Sequence, residues 1–272
     1  MTEMPAVDKE FPVLLLNDLH KIYNPGTQLQ VHVLKGISLA VERGDYVAIM
    51  GHSGSGKSTM LNILGCLDVP TTGTYMIDGV DVSSLSEGQL ADVRNQYLGF
   101  VFQSFNLVRR TSALANVELP LVYAGVSRSE RRRRAQTALE LVGLADRTTH
   151  MPSELSGGQQ QRVAIARAIA TGPSIILADE PTGNLDSRST EEVLQIFGRL
   201  NAAGRTIVII THEDDVSAHA KRVVILEDGR ICDDYRNAPV EGEPPGLVDL
   251  TAMETTEVSV VEEGSTSEVV VP

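Results

Sequence analysis

The sequence predicts an α/β fold built around a mainly parallel sheet, and three observations carry that prediction. Short, continuous apolar runs recur at Val47–Met50, Ile175–Ala178, Ile207–Ile210 and Val223–Leu226. Runs of that length without polar alternation suit strands covered on both faces. Helical segments fall between them, one starting near Lys57 and one from about Thr190 to Leu200; strands that alternate with helices assemble into parallel sheets. Finally, the first run leads directly into a glycine-rich turn and then a helix, a strand–loop–helix unit.

In chain order, residues 13–50 read as β-rich, punctuated by turn signals at Asn24-Pro25-Gly26 and Arg43-Gly44-Asp45. Residues 104–170 differ in character. Ser127-Arg128-Ser129-Glu130 fits a capping box, and Ala135, Ala138, Leu139 and Val142 line one face of the helix that follows. A second helix starts after Leu155-Ser156-Gly157-Gly158 and carries Val163, Ile165, Ala166 and Ile169. This region reads as a helical subdomain inserted into the α/β body. Asp228-Gly229 turns the last strand into a short return through Ile231. From Asn237 on, Pro239, Pro244 and Pro245, Gly242 and Gly246 and scattered acids have little packing potential, so residues 1–236 are expected to form the domain and 237–272 a disordered acidic tail.

The chain of 272 residues suffices for one large α/β domain, and with no tryptophan and 4% aromatics its core must be aliphatic. Net charge is −13, but Glu241, Glu243, Asp249, Glu254, Glu257, Glu262, Glu263 and Glu268 carry much of it, leaving −5 for residues 1–236. No basic face suggests nucleic acid as a partner. Cys66 and Cys232 read as small packing residues, and His20, His32, His52, His150 and His219 as surface or satisfied polar groups. The basic run Arg131–Arg134, with Arg128, reads as a solvated helix face. No run approaches the roughly 18–20 apolar residues of a membrane span, and the acidic N-terminus does not resemble a secretion signal. A soluble, cytoplasmic chain is expected, with any membrane part supplied by a separate protein.

Three motifs carry chemistry. Gly51-His52-Ser53-Gly54-Ser55-Gly56-Lys57-Ser58-Thr59 fits G-x-x-x-x-G-K-[ST] between a strand and a helix. Its glycines let backbone amides curl around phosphate oxygens, and the helix start adds partial positive charge. Lys57 is placed to bridge the β- and γ-phosphates and Ser58 to offer a hydroxyl to Mg²⁺. By itself this motif defines only a nucleotide binder. In the second, Leu155-Ser156-Gly157-Gly158-Gln159, a serine and two glycines at a helix start form a second anion-binding arrangement. In the third, Asp179 and Glu180 close the apolar run from Ile175. There Asp179 would orient the Mg²⁺ shell and Glu180 polarise the water that attacks the γ-phosphate.

Leu-Ser-Gly-Gly-Gln is the signature of ABC ATPases, and over roughly residues 12–236 the chain resembles that family, with every expected motif in order. The resemblance implies a P-loop core with a mainly parallel sheet, an antiparallel β subdomain and the helical insertion. It implies that Ser156, Gly157, Gly158 and Gln159 bind the γ-phosphate held by another subunit, so that ATP is sandwiched in a head-to-tail dimer of two copies of the chain. Position by position, Gln103 matches the Q-loop glutamine that touches Mg²⁺ or the attacking water, and His212 the switch histidine that contacts the γ-phosphate and orients Glu180. Asp186 matches the D-loop that crosses the dimer interface, and Tyr23 the aromatic that stacks on adenine. Pro181–Asp186, Asn62–Gly65 and Ser156–Arg167 look like the macrolide-exporter and lipoprotein-release branch. Members of that branch drive an integral-membrane permease, which implies a peripheral position on the inner face of the cell membrane and a docking groove around Phe105, Leu107, Thr111 and Leu114. Two other uses stay open: a signalling ATPase that controls cell-envelope hydrolases, and a soluble ATPase of DNA repair or translation.

Overall fold

The computed structural model describes residues 11–237. Of the expected acidic tail only Asn237 falls in that range, and its side chain donates to the Ser217 and Ala220 carbonyls; the rest lies outside the described residues. In chain order the strands are β1 (Leu14–Tyr23), β2 (Val31–Val41), β3 (Tyr46–Met50), β4 (Thr72–Ile77), β5 (Val80–Asp81), β6 (Leu98–Phe102), β7 (Ile175–Asp179), β8 (Thr206–Ile210), β9 (Arg222–Glu227) and β10 (Arg230–Arg236). The α-helices are α1 (Lys57–Leu64), α2 (Glu87–Tyr97), α3 (Ala113–Tyr123), α4 (Arg128–Leu141), α5 (Gly157–Ile169), α6 (Ser187–Ala202) and α7 (Asp214–Ser217).

Six strands form the central sheet in the order β10-β9-β3-β8-β7-β6, parallel throughout except for β10. The continuous apolar runs follow from two-sided burial. Tyr46, Ala48 and Met50 of β3 enter one core, while Val47 and Ile49 between them enter the other. β8 splits the same way, with Ile207 and Ile209 on one side and Val208 and Ile210 on the other. One core joins the sheet to α3, α4, α5 and α6; the other joins it to α1, α2 and an antiparallel sheet of order β2-β1-β4-β5.

Four elements carried no clear sequence signal. The first half of β4, Thr72-Gly73-Thr74, is exposed and polar. No turn residue separates α2 from β6, because Leu98 follows Tyr97 directly. Pro120 sits inside α3, where it normally argues against a helix. The start of α4 also departs from expectation. Ser127 takes the extended N-cap backbone, but no side-chain cap bond forms. Glu130 instead accepts from Arg133 Nε and Nη2 at 2.9 and 2.6 Å and from Arg134 Nε at 2.7 Å. Guanidinium donors outcompete a backbone amide for a carboxylate. The basic run is therefore solvated only in part, since Arg134 is buried.

Candidate active site

β3 ends at Met50, and the chain turns through Gly51–Gly56 into α1. Gly51 and Gly56 are required here for packing reasons. A Cβ on Gly51 would lie 2.2 Å from the Leu226 carbonyl oxygen and 2.6 Å from Ser55 Oγ, while Gly56 has φ +109° and faces Leu34 Cδ2 at 3.0 Å. Ser55 is buried with its hydroxyl over Gly51, so its side chain is turned inward, away from the open side of the loop. The turn between β9 and β10 braces the loop from behind: the Gly229 amide donates to the Ser55 carbonyl at 2.9 Å and its carbonyl accepts from the Lys35 amide at 2.8 Å. Nothing in the sequence distinguished Gly229 from an ordinary turn glycine.

An open cleft of about 640 Å³ lies over this loop, lined by Val33, His52, Ser53, Gly54, Gly56, Lys57, Ser58, Thr59, Glu180 and His212. Two segments distant in sequence, those of Glu180 and His212, thus meet the loop. Lys57 Nζ donates to the carbonyls of Gly51 and His52 at 2.6 and 3.0 Å. His52 is exposed and hydrogen-bonded, its Nδ1–H donating to the Ser53 carbonyl at 2.8 Å, and it also lines the cleft. Beyond β7, Glu180 takes φ +42°, a conformation costly for a residue with a side chain. Its amide donates to the Ile210 carbonyl at 2.8 Å, and His212 Nδ1 lies 2.9 Å from Glu180 Oε1. The Asp179 carboxyl is pushed above its usual range by burial and by the neighbouring Glu180 charge, with Lys57 pulling the other way. The Asp179 carboxylate and the Ser58 hydroxyl are hard-oxygen groups of the kind a small divalent cation takes, and a carboxylate beside an imidazole can polarise water.

The remaining residues singled out in the sequence do not line this cleft. Ser156 caps α5, accepting from the Gln159 amide at 3.3 Å, while Gln159 Oε1 accepts from the Ser156 amide at 3.0 Å. Gly158 must be glycine, because a Cβ would come within 2.6 Å of Ser189 Oγ. Asp186 caps α6 through the Ser189 amide and hydroxyl at 2.9 and 3.0 Å, bonds that hold its carboxyl below the usual range. The Gln103 carbonyl accepts from Asn184 Nδ2 at 3.0 Å, and its side chain lies over Gly183. Two unforeseen residues complete this second cluster. Wholly buried Gln161 donates to the Pro181 carbonyl at 2.5 Å, and Arg167 donates to the carbonyls of Asn106 and Phe105 at 2.6 and 2.9 Å. Tyr23 lies apart, on β1, with its hydroxyl donating to Asp68 at 3.0 Å.

A parallel sheet that sets a glycine loop, a lysine and a glutamate–histidine pair around one open cleft defines a nucleoside-triphosphate-hydrolysing cassette. The family model described as ABC transporter matches residues 34–183. An ABC transporter ATP-binding protein of Bacillus subtilis, YknY, is 54% identical over 219 residues, 80% of this chain and 95% of that protein. The macrolide export ATP-binding/permease protein MacB of Mannheimia succiniciproducens is 50% identical over 229 residues, 84% of this chain but 36% of the relative. Among solved structures, a dimeric post-hydrolysis state of the ATP-binding cassette MJ0796 bound to ADP and Pi matches with TM-score 0.76 at 44% identity. It covers 84% of this chain and 100% of that one. The chain belongs to the ABC transporter family. It is an ATP-binding, ATP-hydrolysing subunit of an ABC transporter.

Proposed function

We propose that this subunit hydrolyses ATP at a site shared between two copies arranged head to tail and so drives a separate membrane permease of the exporter or lipoprotein-release type. The observation that carries the reading is the split of the motifs: the cleft that holds Lys57, Glu180 and His212 takes no lining from Ser156–Gln159. A γ-phosphate over Lys57 would find Ser156, Gly157 and Gly158 on the partner copy. Solved MJ0796 cassettes are dimeric, and MacB relatives are described as ATP-binding/permease proteins, which supports both partners.

In this reading the loop amides of Ser53, Gly54 and Gly56 and the Lys57 ammonium bind the phosphates, with Gly51, Ser55 and Thr59 shaping the loop. Ser58, Asp179 and Gln103 would hold Mg²⁺, which neutralises developing phosphate charge. Among the described residues no three His, Cys, Asp or Glu side chains group as a metal cage, which suits a magnesium ion carried mostly by phosphates and water. Glu180 takes the proton of the attacking water, and His212 orients Glu180 through the bond between them. Tyr23 stacks on the base, and Asp186 keeps the start of α6 set at the interface. On the docking side, Leu107 and Phe105 are half-buried and Leu114 packs into the core, so the permease would meet Phe105, Leu107 and Thr111 on a base supported by Leu114.

Glu180→Gln tests the assignment. The variant should bind ATP and accumulate as an ATP-bound dimer, with kcat lower by about 100- to 10,000-fold. Near-normal turnover would remove Glu180 as the base. A partner gene product with no transport phenotype would favour the signalling use of the same machinery.

A further inference from the structure

Tyr23 of β1, read above as the base-stacking residue, sits in a cluster with Lys21 of β1 and Asp68 in the turn after α1, two residues given no part so far. Lys21 is buried, and its Nζ donates to Asp68 Oδ1 at 2.6 Å and to the Val69 carbonyl at 2.8 Å. The same ammonium stands 4.8 Å from the centroid of the Tyr23 ring. Tyr23 donates its hydroxyl to Asp68 Oδ2 at 3.0 Å, and the Val69 amide donates to Asp68 Oδ1 at 2.8 Å. Asp68 is itself fixed, because the amides of Leu67 and Asp68 both donate to the Asn62 carbonyl, at 2.7 and 3.1 Å.

We propose that Asp68 is a positioning residue for the nucleotide base: it locks Tyr23 and Lys21 into one arrangement, with an ammonium on one side of the ring and the other side left for a purine to stack on. The inference rests on the reading of Tyr23 as the base-stacking residue. Three physical points support it. A tyrosine near a strand end would otherwise sample several rotamers, and ordering it before binding removes that entropic cost. The ammonium is attracted to the ring quadrupole and occupies the ring face it covers, so it directs a ligand ring to the opposite face. The anchor belongs to the turn after α1, whose first residue is Lys57. A helix of eight residues is about 12 Å long and stiff, so the ring and the phosphate loop are held at a fixed separation. The span from triphosphate to base is then measured by a helix and not by the loop between β1 and β2.

The test compares ATP with inorganic tripolyphosphate, which has no base, in competition binding. Asp68→Asn should weaken ATP roughly 3- to 10-fold, the equivalent of re-ordering one side chain, and leave tripolyphosphate unchanged. Tyr23→Phe keeps the ring and loses the anchor; it should weaken ATP to the same degree, and the double variant should be no worse than either single one. Equal weakening of both ligands, or of neither, in Asp68→Asn would overturn the clamp. Should that variant fail to fold, Tyr23→Phe decides in the same way. Tyr23→Ala separates the two ideas. If it leaves ATP and tripolyphosphate affinities unchanged, the base-stacking reading itself fails; if it weakens ATP alone while Asp68→Asn and Tyr23→Phe do not, only the clamp fails.

Discussion

Asp179 is kept at a cost to the ligand-free protein. Burial and the adjacent Glu180 charge raise its carboxyl above the ordinary value, and Lys57 offsets this only in part. The folded chain therefore holds that proton more tightly than the unfolded chain does. Its contribution to stability is most favourable below the ordinary carboxylate range and declines as pH rises through the raised value. A cation at this position would reverse the penalty, which is how an active site stores function at the expense of stability. Asp179→Asn should accordingly raise the melting temperature of the nucleotide-free protein at neutral pH by roughly 1–3 °C and weaken Mg²⁺-dependent ATP binding. Calorimetry with and without Mg-ATP checks both halves. A lower melting temperature without ligand would show that Asp179 is already satisfied by its neighbours.

At the level of elements, the segment between β6 and α3 links Gln103 to the helical region, and Asn116 organises it. Asn116 is buried; its Oδ1 accepts from the Val108 amide at 2.7 Å, and its Nδ2 reaches Thr111 Oγ1 at 2.8 Å and the Ser112, Val108 and Thr111 carbonyls at 3.1, 3.2 and 3.2 Å. Asn116→Leu keeps the volume but strands those buried groups, and should cost about 2–3 kcal/mol in chemical denaturation. A loss under about 0.5 kcal/mol would mean that water replaces the amide at little cost. This residue also marks where the sequence stopped being legible. The phosphate loop, the end of β7 and the start of α5 could be read because each is local: a few adjacent residues define the turn, the apolar run or the cap. Asn116, Gln161, Ser189 and Asp68 could not, because each matters through partners 4 to 47 residues away and no local pattern requires it. β6 and α3 were missed for the converse reason. Tertiary packing sustains a strand with no preceding turn and a helix with an internal proline, against their local signals.

For the whole molecule, the proposed composite site would make activity a property of a pair of chains. The cleft over Lys57 is open and takes its lining from the phosphate loop, Val33, Glu180 and His212, while Ser156–Gln159 cap a different helix of the same chain. Within that chain the two regions are tied together: Gly158 packs on Ser189, Ser189 is bound by Asp186, and Gln161 reaches the Pro181 carbonyl just beyond Glu180. Movement of α5 in response to a partner's ATP would therefore be passed to the segment that carries Glu180, the proposed base. The arrangement is directly testable by mixing two inactive variants. Lys57→Ala lacks a working phosphate loop but keeps its signature; Ser156→Arg blocks the signature but keeps its phosphate loop. Alone, each has both of its composite sites broken. In a mixed head-to-tail dimer, one site joins the intact loop of the second variant to the intact signature of the first, and the other site is doubly dead. Random pairing makes about half of the dimers mixed, each with one of two sites working. Mixing equal amounts should thus restore about a quarter of the wild-type ATPase activity per chain. Activity that stays at the level of the separate variants would place signature and phosphate loop in the same chain's site, or require both sites for any turnover; ADP release from a covalently linked mixed dimer given only enough ATP for one site distinguishes the two.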